Sequence, residues 1–195
     1  MNSHYEQNDK YPRENPNTGG NKTNWKEEIF SWIKIIVTAA IIAFVLNTFI
    51  IANSKVPSGS MEKTIMTGDR VIGLRLTYHF EDPKRGDVSI FRYPDDPSVY
   101  YVKRIIGLPG DIIDIRDGKV YLNNSDTPMD EPYIREAMQP EPDMHFEVPE
   151  DSYFMMGDNR NESYDSRRWR NTFVARDQMI AKVYFRYYPN ISKIK

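Results

Sequence analysis

The sequence of 195 residues contains no cysteine. Disulfide bonds, thiolate metal sites and a cysteine nucleophile are therefore excluded, whereas the compartment stays open, because an outward-facing domain need not use disulfides. Histidine is scarce as well, so imidazole chemistry is limited to His4, His79 and His145.

The sequence also lacks an excess of basic charge, a glycine-rich phosphate-binding motif and internal repeats. Its formal net charge is -2, whereas nucleic-acid-binding domains usually carry a basic patch or stripe. We therefore expect no nucleic-acid partner, and we expect no metal ion and no cofactor. Beyond one apolar span, the chain has room for a single modest domain of roughly 140 residues.

Charge is absent from one long stretch, which begins at Ile35 and ends near Asn53. About 20 apolar residues match the ~30 Å hydrocarbon core of a bilayer at ~1.5 Å per helical residue. We assign a transmembrane helix to residues 29–53. A cleaved signal peptide is the alternative, but its apolar segment usually has about 7–15 residues, and Ile51-Ala52-Asn53 is not a small-x-small cleavage site. An uncleaved anchor is therefore favoured.

Aliphatic side chains are almost absent from residues 1–24, which are rich in asparagine, proline and glycine. Such a stretch cannot bury enough apolar surface to offset its ordering entropy, so residues 1–28 are predicted to be a disordered cytoplasmic tail. Trp25 and Trp32 lie where interfacial anchors belong. The basic residues near the span are Lys10, Arg13, Lys22, Lys26 and Lys34 before it, and Lys55, Lys63 and Arg70 after it. By the positive-inside rule this bias favours a cytoplasmic N-terminus and an extracytoplasmic domain.

Residues 54–195 are predicted to form a mainly β domain, because short β-branched and aromatic runs alternate with Gly, Pro and Asp turns. The predicted strands are 70–74, 87–91, 100–106, 111–115, 120–122, 153–156 and 180–188. Asp117-Gly118 suits a primed turn and predicts a hairpin over 111–122. Residues 123–150 contain five prolines and a surplus of acids, which indicates a long surface loop or a small insertion.

Two stretches could carry chemistry. Ser58-Gly59-Ser60 follows the span closely, although by spacing alone a flexible turn is the simpler interpretation. Lys103 lies in a predicted strand whose two faces are both mixed, so the alternation does not decide whether its side chain is buried. An exposed lysine would only snorkel from the sheet. Burial would instead lower its pKa by several units and make it a possible base at neutral pH.

A third stretch, 155–167, follows a predicted strand with polar turn-forming residues. Taken alone, it is as well explained as a structural loop that is closed by a pair between Asp165 and Arg167.

These stretches, in the order in which they occur along the chain, closely resemble the motifs of the bacterial type I signal peptidases. The resemblance lies in Ser58-Gly59-Ser60-Met61, in Arg85-Gly86-Asp87-Val88, in Tyr101 through Asp111, and in Gly157-Asp158-Asn159-Arg160 through Arg167. It extends over about residues 35–188. It implies a membrane-anchored Ser/Lys endopeptidase with a β-rich catalytic fold, which removes signal peptides from secreted preproteins outside the cytoplasm. The short catalytic region is similar to the forms common in Gram-positive bacteria.

The resemblance also implies a role for each matching residue. It implies that Ser60 is the nucleophile and Lys103 the general base, that Ser163 orients the lysine amine, and that the Ser58 hydroxyl joins the Ser60 N–H in an oxyanion hole. Pockets for small residues, Ala above all, at the first and third positions before the cut are implied near Met61, Ile65, Tyr101 and Val102. Structural ion pairs are implied between Arg104 and Asp158 and between Asp165 and Arg167.

Two positions depart from the family pattern. Lys63 stands where the family usually has Pro, and Arg170 follows Trp169 where the family usually has Gly. These departures put the local loop shape and the fine specificity in doubt. Two alternative functions remain open, namely a catalytically silent binder of signal peptides and a self-cleaving repressor-type Ser/Lys protease. The intact site residues argue against the first, and the second would need a DNA-binding domain in place of the span.

Overall fold

The computed structural model describes residues 25–194. Helix α1 spans Trp25–Val45 and continues as a π-helical segment over Leu46–Ile50. No residue of α1 is buried. Within the described part of the chain, the segment Trp25–Ile50 is the one helix that is long and apolar enough to cross a membrane.

The helix is shifted toward the N-terminus relative to the predicted span. Trp25 to Glu28, which were predicted to belong to the tail, are helical, and Glu27 and Glu28 lie in the first turn, where the helix dipole favours acidic side chains. Ile51 to Asn53, predicted as helix, instead belong to strand β1, because they pair with a neighbouring strand. The rest of the predicted tail, residues 1–24, lies outside the described residues.

The remaining elements are mostly strands, which confirms the predicted mainly β domain. They are β1 (Ile51–Lys55), β2 (Arg70–Leu74), β3 (Val88–Tyr93), β4 (Asp96–Gly107), β5 (Ile112–Arg116), β6 (Lys119–Leu122), β7 (Met144–Glu147), β8 (Ser152–Met156), β9 (Val174–Ala175), β10 (Met179–Tyr188) and β11 (Ser192–Lys193). Helix α2 (Thr77–Phe80) and the 3₁₀ turns Gly59–Met61 and Arg176–Gln178 complete the domain.

The main sheet is antiparallel, with strand order β1-β2-β10-β3-β4-β8-β9 and β11 paired to β10. Strand β4 lies in it between β3 and β8. Its side chains alternate between two apolar clusters, so Val102 packs against one cluster, and Tyr101 and Ile105 belong to the other. Both faces of β4 are therefore covered at this point.

A smaller sheet has the order β6-β5-β7. Its β5–β6 hairpin turns at Asp117 and Gly118, whose φ angles of 50° and 66° are the positive values that a primed turn needs. The predicted hairpin is thus confirmed. The segment 123–150 contributes more than a surface loop, because β7 pairs with β5 and the side chains of Met138 and Val148 are buried in a third apolar cluster.

Candidate active site

Ser60 lies in the 3₁₀ turn Gly59–Met61 that follows β1. The side chain of Met61 is buried in the core, and the backbone of Val56 is bonded to that of Gly68 and Asp69 by hydrogen bonds of 2.8 and 2.9 Å. Ser60 is itself 6% exposed, and its Oγ lies 3.3 Å from Ser58 Oγ. The predicted nucleophile is therefore held in a fixed turn beside a second hydroxyl.

The loop after β8 docks onto this turn through Asn159. Its backbone N–H donates to the Ser60 carbonyl at 3.1 Å, and its Nδ2 donates to the Gly59 carbonyl at 3.0 Å. At Gly157 an added Cβ would lie 2.3 Å from both the Ser60 carbonyl oxygen and Ser163 Oγ. Only glycine allows such an approach, and the approach brings Ser163 next to the Ser60 backbone.

Lys103 lies on β4, opposite Ser89 of β3, and is 3% exposed. The Lys103 side chain is therefore buried, which the alternation of residues along the predicted strand could not decide. Burial lowers the pKa of Lys103 to about 8; the negative charges of Asp165 and Asp158 oppose this shift, and the positive charge of Arg167 adds to it. An amine with this pKa is uncharged in roughly a tenth of molecules at pH 7.

The structure brings β4 and the Ser60 turn together, since strand β4 contacts the turn Gly59–Met61. Among the described residues, Ser60 Oγ has its hydrogen-bond contact with Ser58 Oγ, and no hydrogen bond joins it to Lys103 Nζ. Catalytic hydrogen bonds are often long before substrate binds and tighten in the complex.

Two buried ion pairs flank the site. Arg104 donates from Nε and Nη2 to the two carboxylate oxygens of Asp158 at 2.8 and 2.7 Å, and Arg167 donates in the same way to Asp165 at 2.8 and 3.0 Å. Burial would raise the pKa of Asp165, but the hydrogen bond and charge of Arg167 and the N–H of Gly157 bring it below its ordinary value. Asp165 therefore stays negative at working pH.

The predicted pocket residues divide between two places. Met61 and Ile65 are fully buried in one apolar cluster, and half-buried Val102 packs against it. Tyr101 faces the other cluster, where its ring stacks on Tyr93 with the centroids 4.5 Å apart. Three of the four predicted residues therefore lie together, and the fourth lies on the opposite face of β4.

The two departures from the family pattern have visible structural correlates. Lys63 has a φ of 86°, which a proline ring, fixed near -65°, cannot adopt. Its Nζ donates to the carbonyls of Pro132 and Ile134 at 2.7 and 2.8 Å. The side chain of Trp169 is buried edge-on to Tyr101, whereas that of Arg170 is exposed.

Sequence reasoning missed Glu131, Tyr133 and Arg160. Arg160 forms a buried ion pair with Glu131, whose carboxylate also accepts the Tyr133 hydroxyl at 2.9 Å. The Tyr133 ring lies 4.0 Å from the guanidinium of Arg104. No local pattern marks these contacts, because Glu131 and Arg160 are 29 positions apart. The one sequence feature that could have indicated Glu131 and Tyr133 is the presence of aromatic and charged residues within the proline-rich segment 123–150.

The profile of the family described as signal peptidase, peptidase S26, matches residues 29–188. A probable signal peptidase I-2 from Synechocystis sp. is 38% identical over 162 residues, covering 80% of this chain and 72% of that protein. Signal peptidase I S from Bacillus subtilis (strain 168) is 33% identical over 174 residues, covering 84% and 91%. A crystal structure of a signal peptidase I from Enterococcus faecalis V583 aligns at 29% identity with a TM-score of 0.44, covering 52% of this chain and 97% of that chain.

Proposed function

The chain belongs to the peptidase S26 family of signal peptidases, and on that premise we propose that it removes signal peptides from secreted preproteins as a membrane-anchored serine endopeptidase. We propose further that Ser60 and Lys103 form its catalytic dyad and that it cuts after Ala-x-Ala sites. The observation that carries the proposal is the buried Lys103, with its pKa lowered to about 8, on the strand that contacts the Ser60 turn.

A serine hydroxyl is a weak nucleophile until a neighbouring base accepts its proton. Uncharged Lys103 accepts the proton of Ser60 Oγ as that oxygen attacks the scissile carbonyl, and it then returns the proton to the leaving amine. The resulting ester is hydrolysed by water, with the same amine as base. The nearby carboxylate of Asp165 stabilises the ammonium form between these two transfers.

The oxyanion would be bound by the Ser60 N–H and the Ser58 hydroxyl. Because the C=O and N–H of one peptide point in opposite directions, the bond from Asn159 Nδ2 to the Gly59 carbonyl fixes the direction of the Ser60 N–H. Ser58 is exposed, and its Oγ lies 3.3 Å from Ser60 Oγ. Each donor aimed at a developing oxyanion typically contributes about 10²–10³ to turnover.

The open edge of β4 supports binding of an extended substrate. Strand β4 pairs with β3 at Tyr100 to Lys103, but its pairing with β8 begins only at Arg104. Within residues 25–194, the second edge of this stretch therefore has no partner strand. A peptide added there as a strand would turn its first and third residues before the cut to the same side. This geometry suits an Ala-x-Ala rule with small pockets near Met61, Ile65 and Val102, which lie together, whereas the fourth implied pocket residue, Tyr101, faces the opposite side of β4.

The apolar helix supports anchoring, and we propose that the N-terminus is cytoplasmic and the catalytic domain extracytoplasmic. The lysines that precede the apolar stretch favour this orientation. Anchoring would place the enzyme and a membrane-inserted preprotein on one surface and so raise their effective concentration.

The proposal is tested with the detergent-solubilised full chain and a preprotein that carries Ala at the first and third positions before the cut. We expect one cleavage after the second Ala, and none with the Ser60→Ala variant. Binding of the preprotein without cleavage would instead support a catalytically silent binder. A matched preprotein with Leu at both positions should stay intact, and its cleavage at an equal rate would exclude the small-residue rule.

A further inference from the structure

Residues 128–141, called the brace below, have neither helix nor strand, yet they contact two of the three pieces of chain that carry the proposed site. One piece is the turn Gly59–Met61 with the residues that follow it. The other is the loop 157–168, which carries Asn159 and Ser163. The brace joins the two.

The brace is held to the loop by buried and backbone contacts. Glu131 pairs with Arg160, and the two side chains are 7% and 1% exposed. The backbone N–H of Arg135 donates to the Asp158 carbonyl at 2.9 Å. Asn161 Nδ2 donates to Glu136 at 3.0 Å. Because part of this set is desolvated and charge-assisted, the brace and the loop should move as one body.

The brace is held to the turn by two consecutive residues that follow Met61. Glu62 pairs with Arg135 at 2.8 Å. The Lys63 ammonium donates to two brace carbonyls, those of Pro132 and Ile134. Lys63 has a φ of 86°, a value that non-glycine residues rarely adopt and retain only where the surroundings enforce it.

We propose that Lys63 is a positioning residue, which fastens the brace to the turn and thereby fixes the Ser60 backbone relative to the loop. The contacts close a ring: the brace holds the loop, Asn159 of the loop holds Gly59 and Ser60, and Lys63 connects the end of the turn back to the brace. The inference rests on the proposed function.

Lys63→Met removes both ammonium bonds at nearly constant length. Because a shift of about 1 Å at reacting groups can cost ~10²-fold, a partial release of the turn should lower kcat about tenfold. KM should change less than twofold, since Lys63 does not contact substrate in this account. The acidic limb of kcat/KM should stay in place, because Lys63 is not among the charges that shift Lys103. Lys63→Arg should restore most of kcat, because a guanidinium can also donate to two carbonyls.

Lys63→Gly distinguishes the loss of the two ammonium hydrogen bonds from the effect of backbone strain. Glycine removes both hydrogen bonds but adopts a φ of 86° without cost. We expect it to fold and to lose kcat as Lys63→Met does. Lys193→Met, at an exposed lysine of β11, is the matched control and should behave as the unmodified protein.

Unchanged kcat in Lys63→Gly or Lys63→Met would overturn the proposal. So would a defect confined to KM, which would make Lys63 a substrate contact, or an Arg variant as slow as the Met variant. Failure of the unmodified chain to cleave the preprotein would instead refute the proposed function, so the two failures are distinct.

Discussion

The side-chain amide of Asn159 donates a hydrogen bond of 3.0 Å to the carbonyl oxygen of Gly59, 100 positions earlier in the chain. This bond orients the peptide whose N–H belongs to Ser60. In the proposed mechanism, the loop after β8 therefore orients the N–H that would bind the oxyanion, through the carbonyl on the opposite side of the same peptide.

Asn159→Ala should lower kcat by about 10–10²-fold with little change in KM, because the Ser60 N–H would lose its fixed direction while the rest of the site remains. Steady-state cleavage of the Ala-x-Ala preprotein checks this result. Asn190→Ala, at an exposed asparagine after β10, is the control and should be neutral. A rise in KM at unchanged kcat would assign Asn159 to substrate binding.

The buried pair between Arg104 and Asp158 should matter chiefly for stability. Arg104→Met leaves the Asp158 carboxylate, which is fully buried, without its strongest partner. Breaking a buried pair in this way typically costs about 3–5 kcal/mol in the free energy of unfolding. Urea unfolding of the variant measures the loss. The exposed Arg170→Met should change the free energy by less than about 0.5 kcal/mol, and equal effects of the two substitutions would contradict the account.

The lowered pKa of Lys103 predicts how stability depends on pH. Below about pH 8 the lysine is protonated in both states, so the full cost of burying the charge is present. Between about pH 8 and its ordinary value of 10.5, the unfolded chain binds more protons than the folded one, so the free energy of unfolding rises with pH. Relative to Lys103→Met, this rise should total about 3 kcal/mol. Urea titrations at several pH values test it, and a flat difference would show that Lys103 is not desolvated.

The hairpin at Asp117-Gly118 was predictable because its turn chemistry is local, and the longer strands were predictable from alternation. Strands β1, β7, β9 and β11 were not predicted. The first three residues of β1 were taken as helix because they continue the apolar run, and β7, β9 and β11 are too short to show a period. The burial of Lys103 could not be read from its strand, since apolar clusters cover both faces of β4.

The resemblance gave the candidate site residues, but it did not reveal how they are held. Lys63 and Pro132 of the brace are 69 positions apart in the chain. The positive φ of Lys63 has no signal in the sequence, because it follows from contacts made only in the folded domain.

The most direct test of the Ser60/Lys103 dyad is the pH dependence of kcat/KM for preprotein cleavage, measured for the unmodified protein and for a variant with both His79→Gln and His145→Gln. Both histidines are exposed, and His145 pairs with Asp114 on the small sheet. The account predicts an acidic limb with an apparent pKa of about 8, the value for Lys103, in both proteins. Loss of cleavage or of this limb in the folded double variant would show that an imidazole is the base and would contradict the account.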